Sequence, residues 1–312
     1  MSYLKSIVFL FICISGLSSC NLIGKSYPKP NKSIKMTVSY SSNVTEQERE
    51  NIVISITKRL EIIGKKPKIE RRDAKNELNI EIATNYEVNR VKRIIETEGK
   101  IQLFDVFKRE EMMPFFKEVN ALISNEDDPN NLFKLFVQER NNFDQILFYV
   151  KEKDTAQVFS YLQMQVAQSS LPSEKKYIKF VWGKEDIVTK SFPLYAIKIE
   201  KDPTMIFNGQ MIKNANQSFG QLGNPSIHIE MNEEGAKLFE KLTQRVFEEQ
   251  SNIAIVFDDI VYTAPSVSSP IKEGRVEISN AFSQEEAQDL AMILNSGAIS
   301  GVQIENIEVE QL

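Results

Sequence analysis

The sequence predicts an α+β protein. Short runs of alternating apolar residues, typical of half-buried strands, are interleaved with capped helical stretches of 3.6 period, and this rhythm recurs in both the first and the last third of the chain. The 312 residues are 42% hydrophobic and include only 2 Cys, so a sizeable core in two lobes is expected, held by apolar burial and not by a disulfide framework. The net charge of −5 and pI near 5.3 exclude the basic face that nucleic acid demands.

Taken in order, the chain begins with a single positive charge at Lys5, then an apolar run of Ile7, Val8, Phe9, Leu10, Phe11, Ile12, Cys13 and Ile14. A run of about ten residues suits a signal segment and is too short to span a bilayer, which takes roughly 20. Leu17-Ser18-Ser19-Cys20 resembles the lipobox of bacterial lipoproteins, in which small residues precede a cysteine that is acylated and becomes the new N-terminus. The expectation is a signal at residues 1–19, lipid attachment at Cys20, and a body outside the cytoplasm in the cell envelope, on the periplasmic side. An ordinary secretory signal and an N-terminal core helix are the alternatives. If Cys13 leaves with the signal and Cys20 is acylated, no disulfide can form in the mature chain. More than one acyl chain gives a stable anchor. Residues 20–35, with Pro28 and Pro30, read as a polar tether that cannot bury enough surface to fold.

Residues 36–108 read as a base. Met36, Val38 and Tyr40 alternate as a strand, and Thr45 with Glu48 forms a capping box ahead of Ile52, Ile56, Leu60 and Ile63 on one helical face, ended by Gly64. Residues 68–72 form a second strand, and Leu78, Ile80 and Ile82 a third. Asn85 is placed to cap a helix through Val88, Val91, Ile94 and Ile95 that stops at Gly99, and residues 101–107 make a fourth strand. The order β-α-β-β-α-β is that of the ferredoxin-like split unit, two helices over one face of an antiparallel sheet.

Residues 109–190 read as a mainly helical insertion, with helices at 114–123, 131–137 and 154–168. Its Met112, Met113, Phe133 and Phe136 are read as core or lobe-contact residues, with an adaptable peptide groove as the sharper alternative. Residues 191–298 form a second α+β lobe, the head. Ile227, Ile229 and Met231 alternate before Asn232, which caps a helix through Ala236, Phe239, Leu242 and Val246. Asp258-Asp259 joins two strands as a two-residue hairpin. Ser283 and Glu286 make a second capping box before Ala287, Leu290, Ala291 and Leu294, and Gly297 ends that helix. Val302, Ile304, Ile307 and Val309 mark a closing strand at residues 299–312, returning to the base.

In this last third the blocks Met231-Asn232-Glu233-Glu234-Gly235-Ala236-Lys237-Leu238-Phe239, Ile253 through Pro265, and Phe282-Ser283-Gln284-Glu285-Glu286-Ala287 running to Leu294-Asn295-Ser296-Gly297 resemble the periplasmic head of the protein-export factor SecD and its fused form SecDF. Pro193-Leu194-Tyr195-Ala196-Ile197-Lys198 is similar to a strand entering that head. The resemblance implies a base-plus-head layout and protein partners, either exported polypeptides or export-channel subunits. The family continues into membrane helices that couple proton flow to the head. This chain ends at Leu312, about where they would begin, so a proton-driven motor is not expected.

No constellation of catalytic type is visible. His228, the single histidine, lies in an alternating strand with no nucleophile or orienting partner in sight. Asp258-Asp259 and Asp127-Asp128 are neighbours in sequence and do not converge as an acid/base pair. Gly220-x-x-Gly223 lacks the following Lys-Ser/Thr of a phosphate cradle. Lys65-Lys66 and Arg71-Arg72 are short clusters interleaved with acids, read as a solvated face. The expectation is a non-enzymatic binding protein without metal, cofactor or small-molecule substrate, touching the membrane only through its lipid. Its rival is a structural or assembly lipoprotein of another envelope complex on the same fold.

Overall fold

The computed structural model describes residues 29–123, 131–137, 143–220, 222–279 and 282–312. In chain order the elements are β1 (Lys32–Tyr40), α1 (Glu46–Ile63), β2 (Gly64–Arg72), β3 (Glu77–Thr84), α2 (Val88–Glu96), β4 (Ile101–Asp105) and α3 (Arg109–Ile123). Then come β5 (Phe136–Val137), β6 (Phe148–Lys151), α4 (Glu152–Leu162), β7 (Ile178–Trp182), β8 (Ser191–Lys198), β9 (Ile212–Phe219) and β10 (Pro225–Met231). The chain closes with α5 (Glu233–Glu249), β11 (Ile253–Phe257), β12 (Ile260–Thr263), β13 (Arg275–Ser279), α6 (Gln284–Ser296) and β14 (Val302–Gln311). The protein is mixed helix and sheet, as the alternation of periods predicts.

The base is a four-stranded antiparallel sheet in the order β14-β1-β3-β2. Ile34, Met36 and Val38 of β1 and Leu78, Ile80 and Ile82 of β3 meet Ile56 and Leu60 of α1 and Val91, Ile94 and Ile95 of α2 in one core. Ile34 lies opposite Ile82 and Val38 opposite Leu78; a one-residue slip would turn this row to solvent. The Thr45–Glu48 capping box is closed in both directions. Gly64 ends α1 for a reason other than a left-handed turn: its backbone is extended, and a Cβ there would sit 2.4 Å from Ile82 Cδ1.

Four sequence expectations need correction. The strand at 101–107 does not close the base sheet; β4 pairs with β11, and β14 takes the place beside β1. β4 is apolar on both faces, Ile101 and Leu103 entering one core and Phe104 another, so it suits a position between two packed layers. The stretch 109–190, read as mainly helical, also supplies β5, β6 and β7, which join β8 in a sheet of order β5-β6-β8-β7. These strands are short and covered on both faces: Val150 packs with Phe116 and Leu147, while neighbouring Tyr149 packs with Val181 and Tyr195. The period of two is therefore masked in the sequence. Pro114 does not start α3 but lies inside it, and residues 131–137 form a 3-10 turn and β5 where a helix was expected.

The remaining sheets, β13-β10-β9 and β12-β11-β4, face each other across the head core. α6 lies between head and base: Ala287, Leu290, Ala291 and Leu294 enter the head core and Met292 the base core.

Candidate functional site

The head core is incompletely filled. Between its two sheets and α5 lies an apolar cleft of about 340 Å³. Ile229 and Met231 of β10, Ile253 and Ile255 of β11, and Phe239 of α5 form its walls, and among the described residues Glu277 of β13 is the one charged residue that lines it. The sequence places these side chains by simple means. The alternation in β10 turns Ile227, Ile229 and Met231 inward. Asn232 then caps α5 by accepting from the Gly235 N–H at 2.8 Å. Gly235 must be glycine here, because a Cβ would lie 2.8 Å from the Met211 carbonyl oxygen.

The rim is the segment after β12, where Ser266, Val267, Ser268, Ser269 and Ile271 line the cleft. It is pinned at both ends. The Ile253 N–H donates to the Pro265 carbonyl and the Ile271 N–H to Thr243 Oγ1, both at 3.0 Å. Asp258 and Asp259 form the turn between β11 and β12 with φ of 47° and 63°, and the Asp258 carboxylate accepts from the N–H groups of Gly99 and Lys100 at 3.2 and 2.7 Å. The pair is therefore turn and anchor. A greasy, serine-rimmed cleft of this size suits apolar side chains of a bound chain, each worth about 1.5–3 kcal/mol on full burial.

Several titratable groups tie elements of the fold together. Asp105 is fully buried, accepts from Ser251 Oγ at 2.7 Å and lies 2.9 Å from Lys198 Nζ; burial pushes its carboxyl up. Lys198 also reaches Glu249 at 2.7 Å, and Arg245 pairs with Glu200. The cluster ties β4 and β8 to the end of α5, and Asp105 and Glu249 do not line the cleft. His228 is exposed, paired in register with Asn216 and Glu277. Gly220 and Gly223 shape the β9–β10 turn. Lys65, Lys66, Arg71 and Arg72 lie on β2. Leu17, Ser18, Ser19 and Cys20, and the pair Asp127-Asp128, lie outside the described residues. Among the described residues no group of three or more His, Cys, Asp or Glu side chains could hold a metal, and no helix is long and apolar enough to cross a membrane.

Sequence reasoning missed the cleft and two polar anchors. Asn295, inside the recognised Leu294-Asn295-Ser296-Gly297 block, accepts from the Ala215 N–H at 2.8 Å and donates to the Ala215 carbonyl at 2.6 Å, holding β9 to α6. Buried Arg59 was hidden as one cation in a charged helix.

Residues 189–300 match the family model for the SecDF P1 head subdomain. Protein translocase subunit SecD of Rhodothermus marinus is 35% identical over 148 residues, 47% of this chain and 23% of that protein. SecD of Dictyoglomus turgidum is 41% identical over 101 residues, 32% and 25% of the two chains. The match thus spans about a quarter of the length of these relatives. In fold, the chain is similar to SecDF in a super-membrane-facing crystal form, with a TM-score of 0.53 and 17% identity over 92% of this chain and 32% of that one. It is also similar to a solved SecDF chain described as a membrane component that enhances protein export, with a TM-score of 0.50 and 18% identity over 88% of this chain and 99% of that one. Residues 189–300 are therefore similar to the SecDF P1 head subdomain, and the chain as a whole has a fold similar to that of solved SecDF chains.

Proposed function

We propose that this protein is a lipid-anchored component of the bacterial cell envelope that works in protein export, holding exported polypeptides or docking on export-channel subunits through its head. The observation that carries the reading is the apolar cleft, walled largely by the segment that matches the SecDF head. Its lining offers burial for apolar side chains and, on Glu277 alone, a single charge, which favours holding a chain over transforming it. Similarity to SecD proteins, named as translocase subunits, supports the export setting. The role is one of holding and not of driving, without catalysis or cofactor. The lipid on Cys20 would keep the head close to the membrane across which its clients emerge, on the periplasmic side.

The test is photocrosslinking in living cells, with a photoreactive residue at Val267 on the cleft rim and another at Phe133 as a remote comparison. Capture of newly exported chains or channel subunits at Val267, but not at Phe133, is the expected result. Capture of one unrelated envelope protein would replace this reading with that of an assembly lipoprotein. Labelling with a radioactive fatty acid, lost in Cys20→Ala, checks the anchor separately.

A further inference from the structure

The base sheet has two outer strands, β14 and β2, and they carry opposite charge. Along β2, Lys65, Lys66, Lys68, Arg71 and Arg72 stand against one carboxylate, Glu70. Along β14, Glu305, Glu308 and Glu310 stand with no cation at all, and most of the strand is exposed. Outer strands offer unpaired backbone groups, and charge is the usual protection against pairing with another chain. Protection of that kind works when both edges carry the same sign, because copies then repel. Here the signs are complementary.

The strand directions are also compatible. β1 is antiparallel to β14 and to β3, and β3 is antiparallel to β2, so β14 and β2 run in opposite senses within the sheet. Simple side-by-side placement of a second molecule would therefore set its β14 antiparallel to the first molecule's β2 and continue the sheet. The side chains fall on one face for this contact. Lys68 and Arg72 of β2 and Asn306 and Glu308 of β14 all line the same open polar surface of the sheet. Among the described residues Glu305, Glu308 and Glu310 take part in no ion pair, although Lys35 is the cross-strand neighbour of Glu308. On the opposite edge Lys68 reaches Glu81 at 3.1 Å and Arg71 reaches Glu46 at 2.6 Å. The register break between Lys65 and Lys68, with Pro67 inside it, limits the available edge to residues 68–72.

We propose that the occupant of these edges is a second copy of this chain, β14 of one molecule pairing antiparallel with residues 68–72 of the next. The contact is head-to-tail, so it leaves a free edge at each end and can extend. Its short length and exposed ion pairs make it weak and sensitive to salt, a contact suited to molecules concentrated on a surface.

Sedimentation velocity of the full chain in low and high salt tests this, using two charge-reversed variants. One carries Glu305→Lys, Glu308→Lys and Glu310→Lys; the other carries Lys68→Glu and Arg72→Glu. Wild type should form larger species at low salt that dissolve at high salt, and each variant alone should associate at least about tenfold more weakly. An equimolar mixture of the two variants should regain association, because each then offers the edge the other needs. That regain also shows that both variants fold. A wild type that stays monomeric at every salt concentration would overturn the proposal. So would variants that associate as well as wild type, or a mixture that stays monomeric.

Discussion

Arg59 is fully buried, and its guanidinium donates to four carbonyls: Ile94, Thr97, Glu98 and Gly297, at 2.9, 2.6, 3.2 and 3.1 Å. These carbonyls lie at the C-terminal ends of α2 and α6, where unpaired oxygens and the helix dipole favour a cation. Burial lowers its pKa to about 10, opposed by the charge on Asp258, so it stays charged at neutral pH. Arg59→Met removes every guanidinium donor from the four carbonyls, of which Glu98 keeps the Ile299 N–H at 2.9 Å. The expected loss is about 3 kcal/mol or more, read from urea unfolding. Arg59→Lys, which keeps the charge with fewer and less spread donors, should fall between. Glu286 presents a pH-dependent case. Burial raises its pKa, but hydrogen bonds from Lys184 and the Ser283 N–H outweigh that and hold it below the usual carboxylate range. A lowered folded-state pKa adds stability above the unfolded value, near 4.3, and that stability is lost as pH falls through the folded value. Glu286→Gln keeps a capping-box acceptor and loses the charge. It should cost under about 1 kcal/mol at pH 7, given partial exposure, and progressively less at acid pH, as the pH falls through the folded-state value and the Glu286 carboxyl takes up its proton. An equal cost at neutral and acid pH would show that the charge is not what stabilises.

At the scale of elements, Ser283 and Glu286 close a capping box at the start of α6, and Ser283→Ala should cost about 1 kcal/mol in thermal or urea unfolding. This box, its counterpart at Thr45, the Asn232 cap and the Asp258-Asp259 turn were legible because each is a local pattern whose chemistry is complete within a few residues. β9 was not. Its sequence, Ile-Lys-Asn-Ala-Asn-Gln-Ser-Phe, has one buried residue, Ala215, and no alternation to read. Its position depends instead on Asn295, eighty residues away, and on pairing with β10. Asn295→Ala should therefore loosen β9 selectively: the Ala215 amide should exchange its hydrogen at least about tenfold faster, while amides in β11 stay protected. Uniform loss of protection would mean that Asn295 supports the whole head and not one strand. The cleft was illegible for a related reason. Its walls come from β4, β10, β11 and α5, and no local period reports a gap between distant layers.

On the scale of the whole molecule, the question is whether base and head are separate bodies. α6 argues that they are joined. Leu290 and Leu294 belong to the head core and Met292 to the base core, and Asp289 on the same helix takes ion pairs from Arg90 and Arg93 of α2 at 2.8 and 3.4 Å. Arg59 adds a further link by binding carbonyls at the ends of both α2 and α6. A helix shared in this way cannot leave one core without exposing apolar surface of the other, so the two should unfold together. Leu290→Ala and Met292→Ala each remove a buried side chain, at an expected cost of about 2–5 kcal/mol. If α6 couples the cores, either variant should speed hydrogen exchange in both β10 of the head and β3 of the base, by similar factors. If instead Leu290→Ala loosened only β10 and Met292→Ala only β3, the cores would be energetically independent despite their shared helix. Coupling would also bear on the cleft, because three of its walls, on β10, β11 and α5, would then be held on a support continuous with the base. Such a support pre-organises the cleft, so that less of the binding free energy is lost in ordering it.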